Sequence, residues 1–258
     1  MSELELEFID PLADSGVEPT NAVIYGVPGS GKTGLALTAP NPLLIDFEKG
    51  GTHTARAVLS AAKASGVDVS KARIVQITYQ PKVEDSGIQC IEKLTKILEY
   101  LKTGEHEFKS VILDPIGEFQ KILMAETLQR FPMKRPMGGQ PQIGDWGRSL
   151  DEASRWVAEF RALPMHTIVV AHAEQPGNEV DDIHPLVTGK NFGPYLEGAM
   201  DLLAYLYNED VVVDGKTKTQ RILRVKSDGR IRAKNRGEKL PPLIADPNLT
   251  KIFARMES

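Results

Sequence analysis

Apolar runs and helix-spaced apolar positions alternate along most of the chain. Residues 22–25 (AVIY) read as a buried strand, followed by a glycine-rich turn and a helix from about Lys32. Residues 43–47 (LLIDF) predict a second strand, 52–65 an alanine-rich helix and 73–78 (RIVQIT) a third strand. Ile88, Ile91, Leu94, Ile97, Leu98 and Leu101 then recur at helical spacing. Residues 110–113 (SVIL) and 166–171 (HTIVVA) predict a fourth and a fifth strand, with helices around 116–130 and 146–162 between them. Strands separated by helices imply crossover connections, hence an α/β fold with a mainly parallel sheet covered on both faces. Beyond Asp201 the spacing tightens to strands at 202–207, 219–226 and 229–234, an antiparallel extension at one sheet edge. Two stretches, 131–145 and 173–194, have neither period; loops of that length in a compact domain are usually functional or disordered.

Charge modifies this picture locally. The first twenty residues carry Glu3, Glu5, Glu7, Asp10, Asp14 and Glu18 without a Lys or Arg, an acidic arm covering 1–19 and unlike a secretory signal. From Lys216 to Lys239 there are ten basic residues and two acidic ones (Asp228 and Glu238). That stretch predicts either a solvated strand edge or a phosphate-binding patch. No apolar run is long enough to span a bilayer, and Cys90 has no partner for an internal disulfide. The expectation is a cytoplasmic protein with no membrane partner.

The chemistry is concentrated at Gly26–Val27–Pro28–Gly29–Ser30–Gly31–Lys32–Thr33, which fits G-x-x-x-x-G-K-[ST] between a strand and a helix. Glycines let the backbone curl so that its N–H groups face phosphate oxygens, and the helix adds a positive end. The motif predicts ATP and Mg²⁺ as ligands, with Lys32 on the terminal phosphates and Thr33 on the metal. A second metal-side group must end another strand. Asp114, closing SVILD, is preferred over Asp46, closing LLID, because more apolar strand precedes it and a helix follows. Pro115 occupies the place after Asp114 where many such ATPases carry a catalytic Glu, so the base is expected at Glu48, with Glu118 as the alternative.

GVPGSGKT, LLIDFEKGG, SVILDPIGEF and TIVVAHAEQ together resemble the RecA-like P-loop ATPase core, most closely the Sak-type single-strand annealing ATPases encoded by phages. The resemblance covers about residues 20–240, leaving 241–258 as a tail. It implies that Glu48, in Asp46–Phe47–Glu48, activates water, and that His172 senses the γ phosphate where RecA has Gln. Lys234–Asn235–Arg236–Gly237 is similar to the KNRFG element of RadA-type relatives, which implies that Lys234 and Arg236 reach the ATP of a neighbouring subunit. The family's DNA loops correspond to 131–145 and 173–194, so Lys134, Arg135 and Lys190 are expected on phosphates and Phe131 or Phe192 on bases. The implied protein is a homo-oligomer or filament that binds single-stranded DNA and promotes annealing or strand exchange, with a single-strand-binding protein as a candidate partner. A small-molecule kinase lacks an Arg-rich lid here, a GTPase lacks N-K-x-D, and an AAA+ protein would carry a separate helical lid where this tail reads as strands. The alternatives are a RecA-like switch acting on protein partners without DNA, or a small-molecule kinase built on the same P-loop.

Overall fold

The computed structural model describes residues 18–64, 69–132, 140–174, 182–213 and 216–258. Five apolar segments become the strands predicted for them: β1 (Asn21–Gly26), β2 (Pro42–Asp46), β3 (Arg73–Gln76), β4 (Ser110–Asp114) and β5 (His166–Ala173). Between them lie α1 (Lys32–Ala36), α2 (Gly51–Ala64), α3 (Ser86–Thr103), α4 (Ile116–Arg130) and α5 (Ile143–Arg161). α5 starts three residues before its periodicity does, because the Gln142 and Asp145 side chains cap its first turn reciprocally.

The second half supplies β6 (Pro185–Leu186), α6 (Phe192–Ala199), β7 (Leu202–Val213), β8 (Lys216–Arg224), β9 (Lys234–Asn235), β10 (Leu243–Ala245) and α7 (Leu249–Glu257). The sheet runs β10-β8-β7-β1-β5-β4-β2-β3, with β6 beside β5 and β9 beside β7. From β7 to β3 every pairing is parallel, and β8 and β10 add the antiparallel edge. The expected strand at 229–234 is not continuous. Ile231 makes one isolated bridge to Ile183, and only Lys234 and Asn235 pair with β7. Asp228 accepts from the amides of Arg230 and Ile231, folding that segment into a turn instead.

Buried strands with apolar residues on both faces create two cores. On one face Val23, Tyr25, Ile45 and Leu113 pack with residues of α3, α4, α5 and α6. On the other, Ile24, Leu44, Ile112 and Leu206 meet Leu35 of α1, Ala55 of α2 and Leu249, Ile252 and Phe253 of α7. Residues 241–258 are thus stitched to the sheet: β10 pairs with β8, and Thr38 accepts from the Leu249 amide. No described helix is long and apolar enough to cross a membrane.

Candidate nucleotide site

β1 and β5 end side by side, with Gly26 opposite His172, and β2 and β4 end with Asp46 opposite Asp114. Four strand ends therefore deliver the loop, a histidine and two carboxylates to one edge of the sheet, as parallel α/β sheets do for their ligands. Gly29 (φ 81°) and Gly31 (φ 95°) lie in the left-handed region, which gives the loop its curl. Gly26 is needed for another reason: a Cβ there would sit 2.3 Å from the Leu206 carbonyl oxygen of β7. α1 is only five residues long, so its dipole is small and the loop amides must carry most of the attraction for an anion.

Lys32 is buried, and its Nζ donates to the carbonyls of Gly26 (3.0 Å) and Val27 (2.9 Å). Burial lowers its pKa, against the pull of the Asp114 and Glu48 charges. Thr33 Oγ1 donates to Asp114 Oδ2 at 2.6 Å. Burial raises the Asp114 pKa to about 6, opposed by the Thr33 bond and reinforced by the Asp46 charge. Asp46 is occupied otherwise: its oxygens accept from the Glu48 amide (3.0 Å), the Thr52 amide (3.1 Å) and the Thr52 hydroxyl (3.3 Å). It ties down the turn into α2, while Asp114 faces the P-loop threonine.

Glu48 follows this turn and is exposed, and its charge is felt at Lys32, Asp114 and His172. Glu118 instead pairs with Lys121 at 2.5 Å. His172 has its pKa lowered by burial and then by Lys32, and its Nδ1 is buried without a partner, as is the Ser30 hydroxyl in the loop. Both polar groups beside the loop are left unsatisfied by the protein, which fits a site for a phosphate-bearing ligand. A curled glycine loop, a lysine, and a hydroxyl bonded to a carboxylate fit the chemistry of Mg²⁺-bound nucleotide.

The remaining predicted residues do not gather here. Lys234 and Asn235 pair with Leu203 and Leu202, at the start of β7, whereas the P-loop follows the far end of the neighbouring β1. Lys234 Nζ is held by the Glu197 (2.6 Å) and Gly198 (3.1 Å) carbonyls, and Arg236 pairs with Asp201 at 2.7 Å. Lys190 is exposed, and Lys134 and Arg135 lie outside the described residues, as does most of the acidic arm. Phe192 requires a correction: it is 2% exposed within the core at the start of α6, so its ring offers no stacking surface. The basic stretch is also less free than its charge suggests. Arg224 pairs with Asp228, Arg232 with Asp182 and Glu197, and Lys239 donates to the Met256 carbonyl.

One residue that no motif marks stands at the loop. Arg221 of β8 places its Nε 3.0 Å from where a Cβ on Gly31 would be. It is nearly two hundred positions from the motif, and only the pairing of β8 beside β7 brings it there. A cavity of about 640 Å³ lies elsewhere, between α3, α4 and α5, and is lined by none of these groups.

A search of curated proteins finds no match for this chain. Residues 18–237 do match a family model described as an AAA domain. The tail nevertheless continues the sheet and ends in the single helix α7, without a separate helical lid among the described residues. With the P-loop motif, its strand-end carboxylates and a match over most of its length, the chain belongs to this AAA-domain family of P-loop ATPases.

Proposed function

We propose that the protein is a Mg²⁺-dependent ATPase that binds single-stranded DNA as an oligomer and promotes annealing or strand exchange. The observation that carries the DNA part is a pair of exposed aromatic rings. Phe131 (44% exposed) and Trp146 (41%) flank residues 133–139, which contain Lys134 and Arg135. Arg148 lies 4.5 Å from the centre of the Phe131 ring. Aromatic rings beside cations are what a sequence-tolerant contact with unpaired bases requires.

In this reading Lys32 leaves its two carbonyls to contact the terminal phosphates, and Thr33 with Asp114 would hold a Mg²⁺ ion, which would supply charge neutralisation there. Glu48 removes a proton from the attacking water, and the water oxygen bonds to the γ phosphorus as the bond to ADP breaks, leaving ADP and phosphate. His172 faces the phosphate from the end of β5. Lys234 and Arg236 serve the site of a neighbouring subunit, since their own lies across the sheet. A phage origin and a single-strand-binding partner belong to the same proposal and rest on the resemblance alone.

The test is steady-state ATP hydrolysis with and without single-stranded DNA, using Lys32→Ala as the blank. Stimulation that weakens as salt rises is the expected result. Hydrolysis that needs Lys32 but ignores DNA would instead favour a switch acting on protein partners, a reading supported by the internal pairing of Arg224, Arg232 and Arg236.

A further inference from the structure

We infer that Arg221 grips the bound nucleotide at its nucleoside end, the α phosphate and the sugar beyond it. The inference rests on the P-loop of this chain binding a nucleotide. Thr33 and Asp114 mark the metal side of the loop, toward β4. In the sheet β4 lies two strands from β1 on one side, and β7 borders β1 on the other. A polyphosphate chain with its metal-bound end at Asp114 must therefore carry the nucleoside toward β7 and β8.

Arg221 stands on that side. β7 pairs with β1 only through Tyr205, and the hairpin then runs on past the strand end, with Asn208 opposite Arg221. Alternation along β8 puts Arg221 on the same face as buried Leu223, the face that packs on α1. The absence of side chains on Gly31 and Gly34 lets the guanidinium lie close to the backbone. Its Nε and Cζ would be 3.0 and 3.2 Å from a Cβ on Gly31, and its Nη1 4.0 Å from one on Gly34. Gly34 follows Thr33 directly, so the fork covers the loop end remote from Gly26.

Arg221 is exposed, but two further observations set it apart from an ordinary surface cation. Among the described residues its guanidinium has no hydrogen-bond or ion-pair partner, while Arg224, Arg232 and Arg236 are each paired to carboxylates. Beside it opens a cavity of about 310 Å³ lined by Thr219, Arg221, Asp246 and Pro247. Five donors in a planar fork suit a phosphate oxygen and sugar hydroxyls, and the cavity leaves room for the nucleoside.

The experiment measures equilibrium binding of ADP and ATP with Mg²⁺ to wild-type protein, Arg221→Gln, Arg221→Lys and Lys32→Ala, with nucleotide-free melting temperatures as the check on folding. Arg221→Gln should weaken ADP and ATP alike, by about tenfold, with an unchanged melting temperature. Arg221→Lys should fall between, since it keeps the charge and loses the fork. A loss confined to ATP would put Arg221 on the terminal phosphate and overturn the assignment. Unchanged affinities in Arg221→Gln, with binding lost in Lys32→Ala, would overturn it while leaving the P-loop reading intact. Failure of the wild-type protein to bind either nucleotide would remove that reading itself.

Discussion

At the scale of single residues, the proposed metal-holding role of Asp114 and the stability of the fold pull in opposite directions. Its carboxyl is 7% exposed and its pKa rises from 3.8 to about 6. Below the lower value the group is protonated whether the chain is folded or not, and burial carries no charge penalty. As pH rises through about 6 the folded protein must hold a buried carboxylate, and stability falls by up to about 3 kcal/mol. Asp114→Asn keeps the shape and an acceptor for Thr33 without the charge. It should stabilise the nucleotide-free protein by about 1–3 kcal/mol at pH 7.5, with the gain disappearing below about pH 4. Urea denaturation at the two pH values measures this, and the same variant should lose the Mg²⁺ dependence of nucleotide binding. A variant less stable than wild type at pH 7.5 would mean that the Asp114 charge is already compensated by its neighbours.

Elements were legible wherever a stretch had one clear period. β1 to β5 and the helices between them follow from buried apolar runs and i, i+3, i+4 spacing, and the P-loop follows from its own spacing. α6 escaped because it has only eight residues with Gly193 and Pro194 in its first turn, and Phe192 beside Lys190 imitates a base-stacking pair. Its burial depends on which residues of distant elements lie over it, which no local pattern carries. The ion pairs of the basic stretch were illegible for the same reason: its partners Asp182, Glu197 and Asp201 precede it and meet it only after the chain folds back. The tail gave no local sign of its role either. Phe253 is 1% exposed and stacks on His166 with ring centres 4.5 Å apart. Phe253→Ala should therefore cost about 3–5 kcal/mol in a denaturation experiment. A change under about 1 kcal/mol would show α7 to be dispensable to the fold.

For the whole molecule, the placement of Lys234 and Arg236 limits the part they can play in the proposed hydrolysis. They lie by the start of β7, whose parallel neighbour β1 must run its full length before the P-loop begins, so they cannot serve the loop of their own chain. If they act in catalysis, Arg236 must exchange Asp201 for a neighbour's phosphate. Mixing Arg236→Ala with Lys32→Ala protein, each inactive alone, should then restore activity at roughly a quarter of the interfaces of a random assembly. Hydrolysis that stays at zero would confine each site to one subunit. The same long-range architecture bears on how the P-loop would drift in descendants that gave up nucleotide. Gly26 would persist, because the Leu206 carbonyl from the far half of the chain leaves no space for a larger residue. Gly29 has nothing within 4 Å of a Cβ, and an Asn tolerant of its positive φ would replace it cheaply. In such a lineage a surviving first glycine would be a relic of strand packing, and only Lys32 and Thr33 would testify to ligand.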